Sequence, residues 1–562
     1  MAAILVVEKG SSMNLLSKRW LILVGLILIL ATVLRLYKIG EVPHGMSWDE
    51  AAIGYNGYAV WTTRRDEWLN RLPTSFRSFG DYKAPLPIYL NGFFTVVFGM
   101  NLWAVRLPFA LAGVAAVGGM ILLTYQLLER KSVVNKEENV FLSAASLSLL
   151  SGLLIALSPW HIHFSRIGFE SGIALCFLIW SLVFLLRLNQ VVKAWQRFFN
   201  IGATSTFLAA ALYSYHSTKI VVPLLVLLFI FLKRKVFWIE RKSLLCVGVL
   251  TSIGLLPLIQ DSLFGHGADR FWQSTIFTLP LSPVEKLEAF IYHFSAHISP
   301  AFLSFGWTNS LRHGDGHWGV LLPTTFLLVV AGVLSPIFLR KKISVIADEK
   351  QLWLIAVGWI LIGLLPAAIG RDIPHSNRAL LALPGFLLLA VAGADSLWKL
   401  LQPLSLNQRV NGTKSEKELL VKSVVGTWLL LHCLFSLSYL HRYYGSYQRE
   451  VSVDFLDGYL EVMEYAKQYE PEVERILFTD FYQQPYIFAL FSRKTNPIWY
   501  HGGSLVKYEF SRRINEGDLG RKNVLIIATP SEIPAEKAMA VVRGTDGKVR
   551  FTVTRTPNEV TY

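Results

Sequence analysis

The sequence predicts an α-helical polytopic membrane protein of about eleven transmembrane helices, with juxtamembrane helices and a small C-terminal α/β extracytoplasmic domain. Three observations predict it. Long apolar runs recur through the first 440 residues, basic residues alternate from one connecting loop to the next, and the composition turns soluble beyond them.

The runs justify the helices in order. Residues 20–36, 107–128, 139–158, 171–188, 198–215, 243–260, 319–339, 351–369, 379–398 and 423–440 are each long enough to cross a hydrocarbon core of about 30 Å as helix. The weaker run 220–232 counts as a span because its neighbours demand one. With 53% hydrophobic residues, the chain is too apolar for an ordinary soluble enzyme. No small-residue cleavage pattern follows the first run, which reads as an anchor rather than a signal peptide. Residues 84–100 test the scheme, because counting them as a span would turn every later basic loop outward. Two prolines, Asn91 and Gly92 leave them only a short apolar stretch, so they read as an interfacial helix.

The net charge of +15 is distributed by loop. Basic residues gather at Lys18 and Arg19; at Arg130, Lys131 and Lys136; at Lys193 and Arg197; at Lys233, Arg234, Lys235, Arg241 and Lys242; at Arg340, Lys341 and Lys342; and at Arg409, Lys414, Lys417 and Lys422. This is the positive-inside pattern. It puts those loops and the N-terminus in the cytoplasm, and it assigns the charge to membrane orientation, not to nucleic acid. The outer face then receives 38–106, 159–170, 213–219, 261–318, 370–378 and the tail. Residues 1–440 form the membrane domain, with a first outer loop at 38–106 and a second large one at 261–318. Residues 441–562 form the extracytoplasmic domain, with its boundary near Gly445. Within it, Arg475–Thr479 and Asn523–Ala528 read as buried strands and 484–492 as a helix, with no Gly-rich turn for a nucleotide. Cys176, Cys246 and Cys433 all fall in spans, so no disulfide framework is implied. The Asn411-Gly412-Thr413 sequon lies in a cytoplasmic loop, and no internal repeat suggests an inverted-repeat transporter.

Charged residues at the outer ends of spans are costly to keep near the membrane and are functional by default. In Trp48-Asp49-Glu50, Asp49 is a candidate general base; Ser47-x-x-Glu50 also matches a capping box, so the acids could instead open a helix. In Asp81-Tyr82-Lys83-Ala84-Pro85, Lys83 is held at the membrane surface by a rigid turn, as a phosphate ligand or a snorkelling anchor. In Ser165-Arg166-Ile167-Gly168-Phe169-Glu170, Arg166 is a candidate phosphate ligand, or the i, i+4 partner of Glu170. In Arg371-Asp372-Ile373-Pro374-His375-Ser376-Asn377-Arg378, Ser376 is a candidate N-cap whose free amides favour an anion. Arg378, with His375 and Arg371 nearby, offers phosphate a charge and a fork. His313, Asp315 and His317 have a spacing that could hold a divalent cation or form a Gly-rich turn.

Five segments together resemble the GT-C glycosyltransferases, specifically the bacterial branch related to protein O-mannosyltransferases and the lipid A aminoarabinose transferase. They are WDEA at 48–51, DYKAPLPIYL at 81–90, VRLPFALAG at 105–113, SPWHIHFSRIGFE at 158–170 and PHSNRALLALP at 374–384. The similarity covers nearly all of 15–440 and is specific only in combination. It implies a GT-C-like catalytic domain in the plasma (inner) membrane, using a polyprenyl-phosphate sugar on the extracytoplasmic side, with a protein, lipid or glycan acceptor. By this resemblance Asp49 inherits the role of base, with Glu50 beside it. Lys83 matches the lysine of a Lys-Pro-Pro-Leu element, here followed by Ala84. Arg378 matches an arginine near the donor phosphate. Glu170 stands where the family commonly has aspartate, and by this resemblance it is a candidate catalytic acid with Asp49 and Glu50.

Chemistry agrees with these roles. A phosphate leaving group gathers negative charge that preorganised cations stabilise. A carboxylate can take the acceptor's proton, and one acid assisting a direct displacement predicts inversion. No cofactor is required, because the leaving phosphate already has cationic partners. A polytopic transporter or a flippase of lipid-linked sugars is the alternative, but the ionisable residues sit at span ends and not at the midplane. An oligosaccharyltransferase is disfavoured because the Trp-Trp-Asp-Tyr-Gly element is absent; the tail offers only Trp499-Tyr500-His501-Gly502.

Overall fold

The described part of each of the eleven apolar runs falls on helix in the computed structural model, which describes residues 16–134, 143–190, 193–338, 346–401, 414–500 and 505–557. Among the described residues, seven helices are long and apolar enough to cross a membrane: Lys18–Leu36, Leu102–Leu128, Glu170–Gln190, Arg241–Phe264, Lys350–Ala368, Ser376–Leu401 and Lys422–Glu450. The chain is an integral membrane protein. The runs at 139–158, 220–232 and 319–339 contain the shorter apolar helices Ala144–Leu157, Thr218–Leu232 and Pro323–Ile337. The segment read as interfacial forms one too, a helix at Pro85–Phe98 that two prolines open. The sequon and the basic residues Lys136, Arg340, Lys341, Lys342 and Arg409 lie outside the described residues.

Small residues let the helices approach closely, which is how apolar helices gain contact where no hydrophobic effect separates them from lipid. A Cβ on Gly393 would lie 2.0 Å from the Leu328 carbonyl, and one on Gly332 equally close to that of Leu389. These two glycines lock the helix Pro323–Phe338 against Leu383–Leu401.

Two pieces of the first outer loop position the site. A helix at Trp48–Thr63 packs on Pro85–Phe98, and a hairpin joins β1 (Phe76–Ser78) to β2 (Asp81–Lys83). Its two turn residues, Phe79 (φ 55°) and Gly80 (φ 78°), are both left-handed, the backbone that a two-residue hairpin demands. Lys83 pairs with Phe76 on the buried face of the hairpin.

The helix Lys414–Tyr444 runs through residue 440, and Gly445 follows its last residue. The tail beyond it builds a five-stranded sheet from β3 (Arg475–Thr479), β4 (Tyr508–Ser511), β5 (Val524–Ala528), β6 (Ala540–Arg543) and β7 (Val549–Arg555), in the order β4-β3-β5-β7-β6. β3 is parallel to β4 and β5, while β7 is antiparallel to β5 and β6. The two strands and the helix read from the sequence correspond to β3, β5 and Pro485–Arg493. One apolar core runs from the tail into the first outer loop. Phe478, Phe488, Phe491 and Phe551 share it with Ala51, Ala52, Tyr55 and Val105.

Candidate active site

The helix that carries Asp49 is held at its start by a full capping box. Ser47 accepts from the Glu50 amide at 3.3 Å, and the Glu50 carboxylate accepts from the Ser47 amide at 3.0 Å. Glu50 is fully buried and also accepts from Arg106 Nε at 2.7 Å, Arg106 Nη2 at 3.2 Å and the Gly168 amide at 3.0 Å. Every contact of Glu50 is spent on architecture, which favours the capping half of its sequence reading.

Two buried arginines fix the chain leading to this helix. Arg106 donates to the carbonyls of Ile39, Pro43 and Gly45, at 3.2, 2.7 and 2.9 Å. Arg166 donates to those of Leu34, Arg35, Lys38 and Val42, and lies over the rings of Tyr443 and Tyr444. No ion pair joins Arg166 to Glu170 among the described residues. The structure therefore does not bring Arg166 to the phosphate candidates. It uses the arginine's fan of donors on backbone carbonyls at the end of the first helix and the start of the first outer loop.

Asp49 and Lys83 do meet. Lys83, 4% exposed, makes a charge-assisted hydrogen bond to Asp49 Oδ1, and Arg312 stands 4.0 Å from Oδ2. Burial disfavours the Asp49 charge, but Lys83, Arg312 and Arg270 outweigh it and hold the carboxyl at about 2. For Lys83 burial likewise opposes the charge, and Asp49 and Glu170 overcome it, so its pKa is raised. Glu170, 5% exposed, opens the helix Glu170–Arg187 and acts on Lys83, Arg270 and Tyr215 through space. Arg270 bonds to Asp81, the residue that starts β2.

Arg378 completes the cluster from the far loop. Its Nη2 lies 3.6 Å from the mostly exposed Asp372, while its Nη1 is buried without a hydrogen-bond partner. The Arg312 Nε is buried and unpartnered too. His375, not Ser376, is the N-cap here: its imidazole accepts from the Arg378 amide at 3.4 Å. The Ser376 hydroxyl instead donates to the His313 carbonyl at 2.5 Å. Burial, with His313 and Arg378 beside it, holds the His375 imidazole well below its usual value. His375 is therefore a neutral cap rather than a charge for phosphate. Arg371 reaches away to Thr275 and Thr278.

The 313–317 segment is a turn. Asp315 accepts from the amides of His317 and Trp318, at 3.0 and 2.6 Å, and faces Arg442 at 3.3 Å. His44, Asp457 and Glu461 form a group with metal-like proximity among the described residues. The Asp457 oxygens are already taken by His44, Ser452 and Thr545. The sequence reading missed Arg270 and Arg312. Arg312 opens the very segment read for its histidines, and its guanidinium lies 5.0 Å over the Trp48 ring. No local pattern marks Arg270; only the approach of the second outer loop to β2 does.

The sequence matches no protein-family model and no curated protein. Solved structures do match. ArnT from Cupriavidus metallidurans superposes over 97% of this chain and 99% of its own, with a TM-score of 0.52, at 12% identity in its apo state and 13% bound to undecaprenyl phosphate. The archaeal oligosaccharyltransferase AglB from Archaeoglobus fulgidus, in complex with an inhibitory peptide and a dolichol-phosphate, matches at 12% identity and a TM-score of 0.50, over 92% of this chain and 70% of that one.

Proposed function

On the GT-C glycosyltransferase fold that this chain shares with those two proteins, we propose an inverting glycosyltransferase that moves a sugar from a polyprenyl-phosphate donor to an acceptor hydroxyl on the extracytoplasmic side of the plasma membrane. One observation carries the reading. Asp49 and Lys83, on separate elements, form a buried ion pair beside Arg270 and Arg312, with Arg378 acting on Arg270 and Asp81, and Arg312 and Arg378 each keep a buried guanidinium nitrogen without a partner. Unpartnered donors of that kind are costly unless an anion completes them. A phosphate flanked by a lipid and a sugar suits a cluster at the outer ends of spans, and the neighbours' bound undecaprenyl phosphate and dolichol-phosphate support the same class of ligand.

Asp49 at about 2 is a weak base while Lys83 holds it. The donor phosphate competes for Lys83, and losing that partner raises the carboxylate's basicity. The acceptor O–H then attacks the anomeric carbon. Its proton passes to Asp49 Oδ, the bond from anomeric carbon to phosphate oxygen breaks, and polyprenyl phosphate leaves with the electron pair. Lys83, Arg270 and Arg378 stabilise the charge that collects on the leaving group. Glu170 acts on Lys83 and Arg270 through space. Glu50, Arg106, Arg166 and His375 are positioning residues.

The full chain, reconstituted in liposomes, is tested with a panel of labelled polyprenyl-phosphate hexoses and pentoses, with cell-envelope extract as acceptor source and water as surrogate. At least one donor should lose its label from the lipid phase, and the first product should carry the inverted anomer. Label that stays lipid-linked with every donor while crossing the bilayer would instead identify the flippase.

A further inference from the structure

We propose that His44, Asp457 and Glu461 form a binding site for one divalent transition-metal ion, zinc by its donor set, which clips the C-terminal domain to the chain leading into the Asp49 helix. The site lies outside the donor cluster and does not depend on the transferase reading.

Its ligand atoms come from two distant parts of the chain. His44 belongs to the first outer loop, and Asp457, 413 positions on, to the tail. Glu461 stands in the first turn of the tail helix Tyr459–Tyr469. One imidazole nitrogen and one oxygen from each carboxylate all lie within 4.8 Å of one another. That reach suits an ion whose bonds to nitrogen and oxygen are about 2.0–2.2 Å long. Imidazole beside carboxylates selects a transition metal over calcium or magnesium, which take six or more oxygens.

Asp457 is already oriented as a ligand. Its side chain is buried, and Oδ2 accepts from the Ser452 hydroxyl at 2.7 Å, the Thr545 amide at 2.6 Å and the Thr545 hydroxyl at 2.8 Å. Outer partners of this kind fix a ligating carboxylate in place. Oδ1 faces His44 Nδ1 at 2.7 Å, with no other partner among the described residues. The proton of that hydrogen bond stands where the ion would. On binding, His44 Nδ1 releases the proton to solvent and offers its lone pair to the ion. The two atoms then move apart by roughly half an ångström, to the spacing of neighbouring ligands around a tetrahedral ion.

His44 is held from both sides. Arg106 donates to the carbonyls of Pro43 and Gly45. Gly45 has φ 85°, and a Cβ there would lie 2.5 Å from the Phe455 carbonyl, so the loop backbone runs directly against the tail. Glu461 supplies the adjustable ligand: it is exposed and makes no hydrogen bond or ion pair among the described residues. With His44 neutral, the trio carries two negative charges for a divalent ion to cancel. Arg106 opposes a cation here, but its charge is paired with Glu50. The ion has a way in, since Glu461 also lines an open cleft of about 460 Å³ with Glu464 and Tyr465. Three protein ligands leave the fourth position to water.

The test titrates the full chain in nanodiscs, without a histidine tag, with zinc chloride against a fluorescent chelator, and melts it in zinc and in EDTA. Wild type should take up one ion per chain, and zinc should raise its thermal midpoint above the value in EDTA. Glu461→Gln removes one ligand atom from a side chain with no other bond. Its midpoint in EDTA should match wild type, while zinc binding weakens about tenfold or more and the zinc-dependent rise is lost. His44→Gln should weaken the ion as well, and equimolar calcium should not displace it. Wild type that takes up no stoichiometric zinc would overturn the site. Uptake retained by both variants would overturn it too, as an adventitious ion only, and displacement by calcium would overturn the transition-metal assignment.

Discussion

Arg378 separates charge from shape at the donor phosphate. Its Nη1 has no partner among the described residues and its ion pair is to an exposed carboxylate, so removing it should cost donor binding and little stability. Arg378→Ala should raise the donor Kd about tenfold to a hundredfold, the worth of a charge-assisted hydrogen bond, with the thermal midpoint nearly unchanged. Arg378→Lys should recover only part of that loss, since a point charge cannot reproduce the fork. Titrating a fluorescent polyprenyl-phosphate analogue reads both, and full affinity in the alanine variant would remove Arg378 from the donor site. The acid, the lysine and this arginine were legible in the sequence because each sits in a segment with a conspicuous neighbourhood. Arg270 and Arg312 were not, since their relevance arises only when the second outer loop folds over β2 and Trp48. Arg166 misled for the same reason: a buried arginine binding carbonyls and one binding phosphate look alike until the carbonyls are located.

At the scale of elements, the Trp48–Thr63 helix is both the mount for Asp49 and the wall against which the tail docks. Its stability hangs on Glu50. Because Glu50 pairs with Arg106 at zero exposure, Glu50→Gln should cost about 3–5 kcal/mol, the usual result of breaking a buried pair from one side. The loss should appear as a lower midpoint in detergent and not as a change in donor Kd; unaltered stability would refute the keystone role. The capping box was readable from Ser47 and Glu50 alone, whereas the salt bridge required Arg106 to arrive from another helix 56 residues on. The loop end of the same element makes a pH prediction. Glu67 is raised from its ordinary value to about 8 by burial and Asp66, so between those values the folded protein binds a proton that the unfolded chain has lost. The stability associated with that proton is complete at low pH and disappears as pH rises through about 8. Melting curves from pH 5 to 9 should therefore fall more steeply for wild type than for Glu67→Gln; parallel curves would contradict the shift.

For the molecule as a whole, the apolar runs fixed where helices form, and loop charge suggested which ends face the cytoplasm. What the sequence could not convey is that the tail and the first outer loop share one core, because the contributing residues lie more than 400 positions apart, as Tyr55 and Thr495 do. Orientation is testable with single cysteines in a background where Cys176, Cys246 and Cys433 are serine. An impermeant thiol reagent should label exposed positions Tyr292 and Trp499 from the same side, and Lys235 only from the other. Labelling of Tyr292 and Lys235 from one side would overturn the topology and, with it, an extracytoplasmic site.

The most direct measurement of the central claim is the split between donor binding and turnover in Asp49→Asn. Asparagine keeps the shape of the side chain on a helix whose cap is Ser47, so the fold and the Lys83 environment should survive. It cannot accept the acceptor's proton, and loss of a general base costs about 10²–10⁴ in rate. Donor affinity should be unchanged or slightly higher, because Lys83 is freed for the phosphate, while single-turnover transfer in liposomes falls by that factor. Well-folded Asp49→Asn protein that transfers sugar at the wild-type rate would contradict the account.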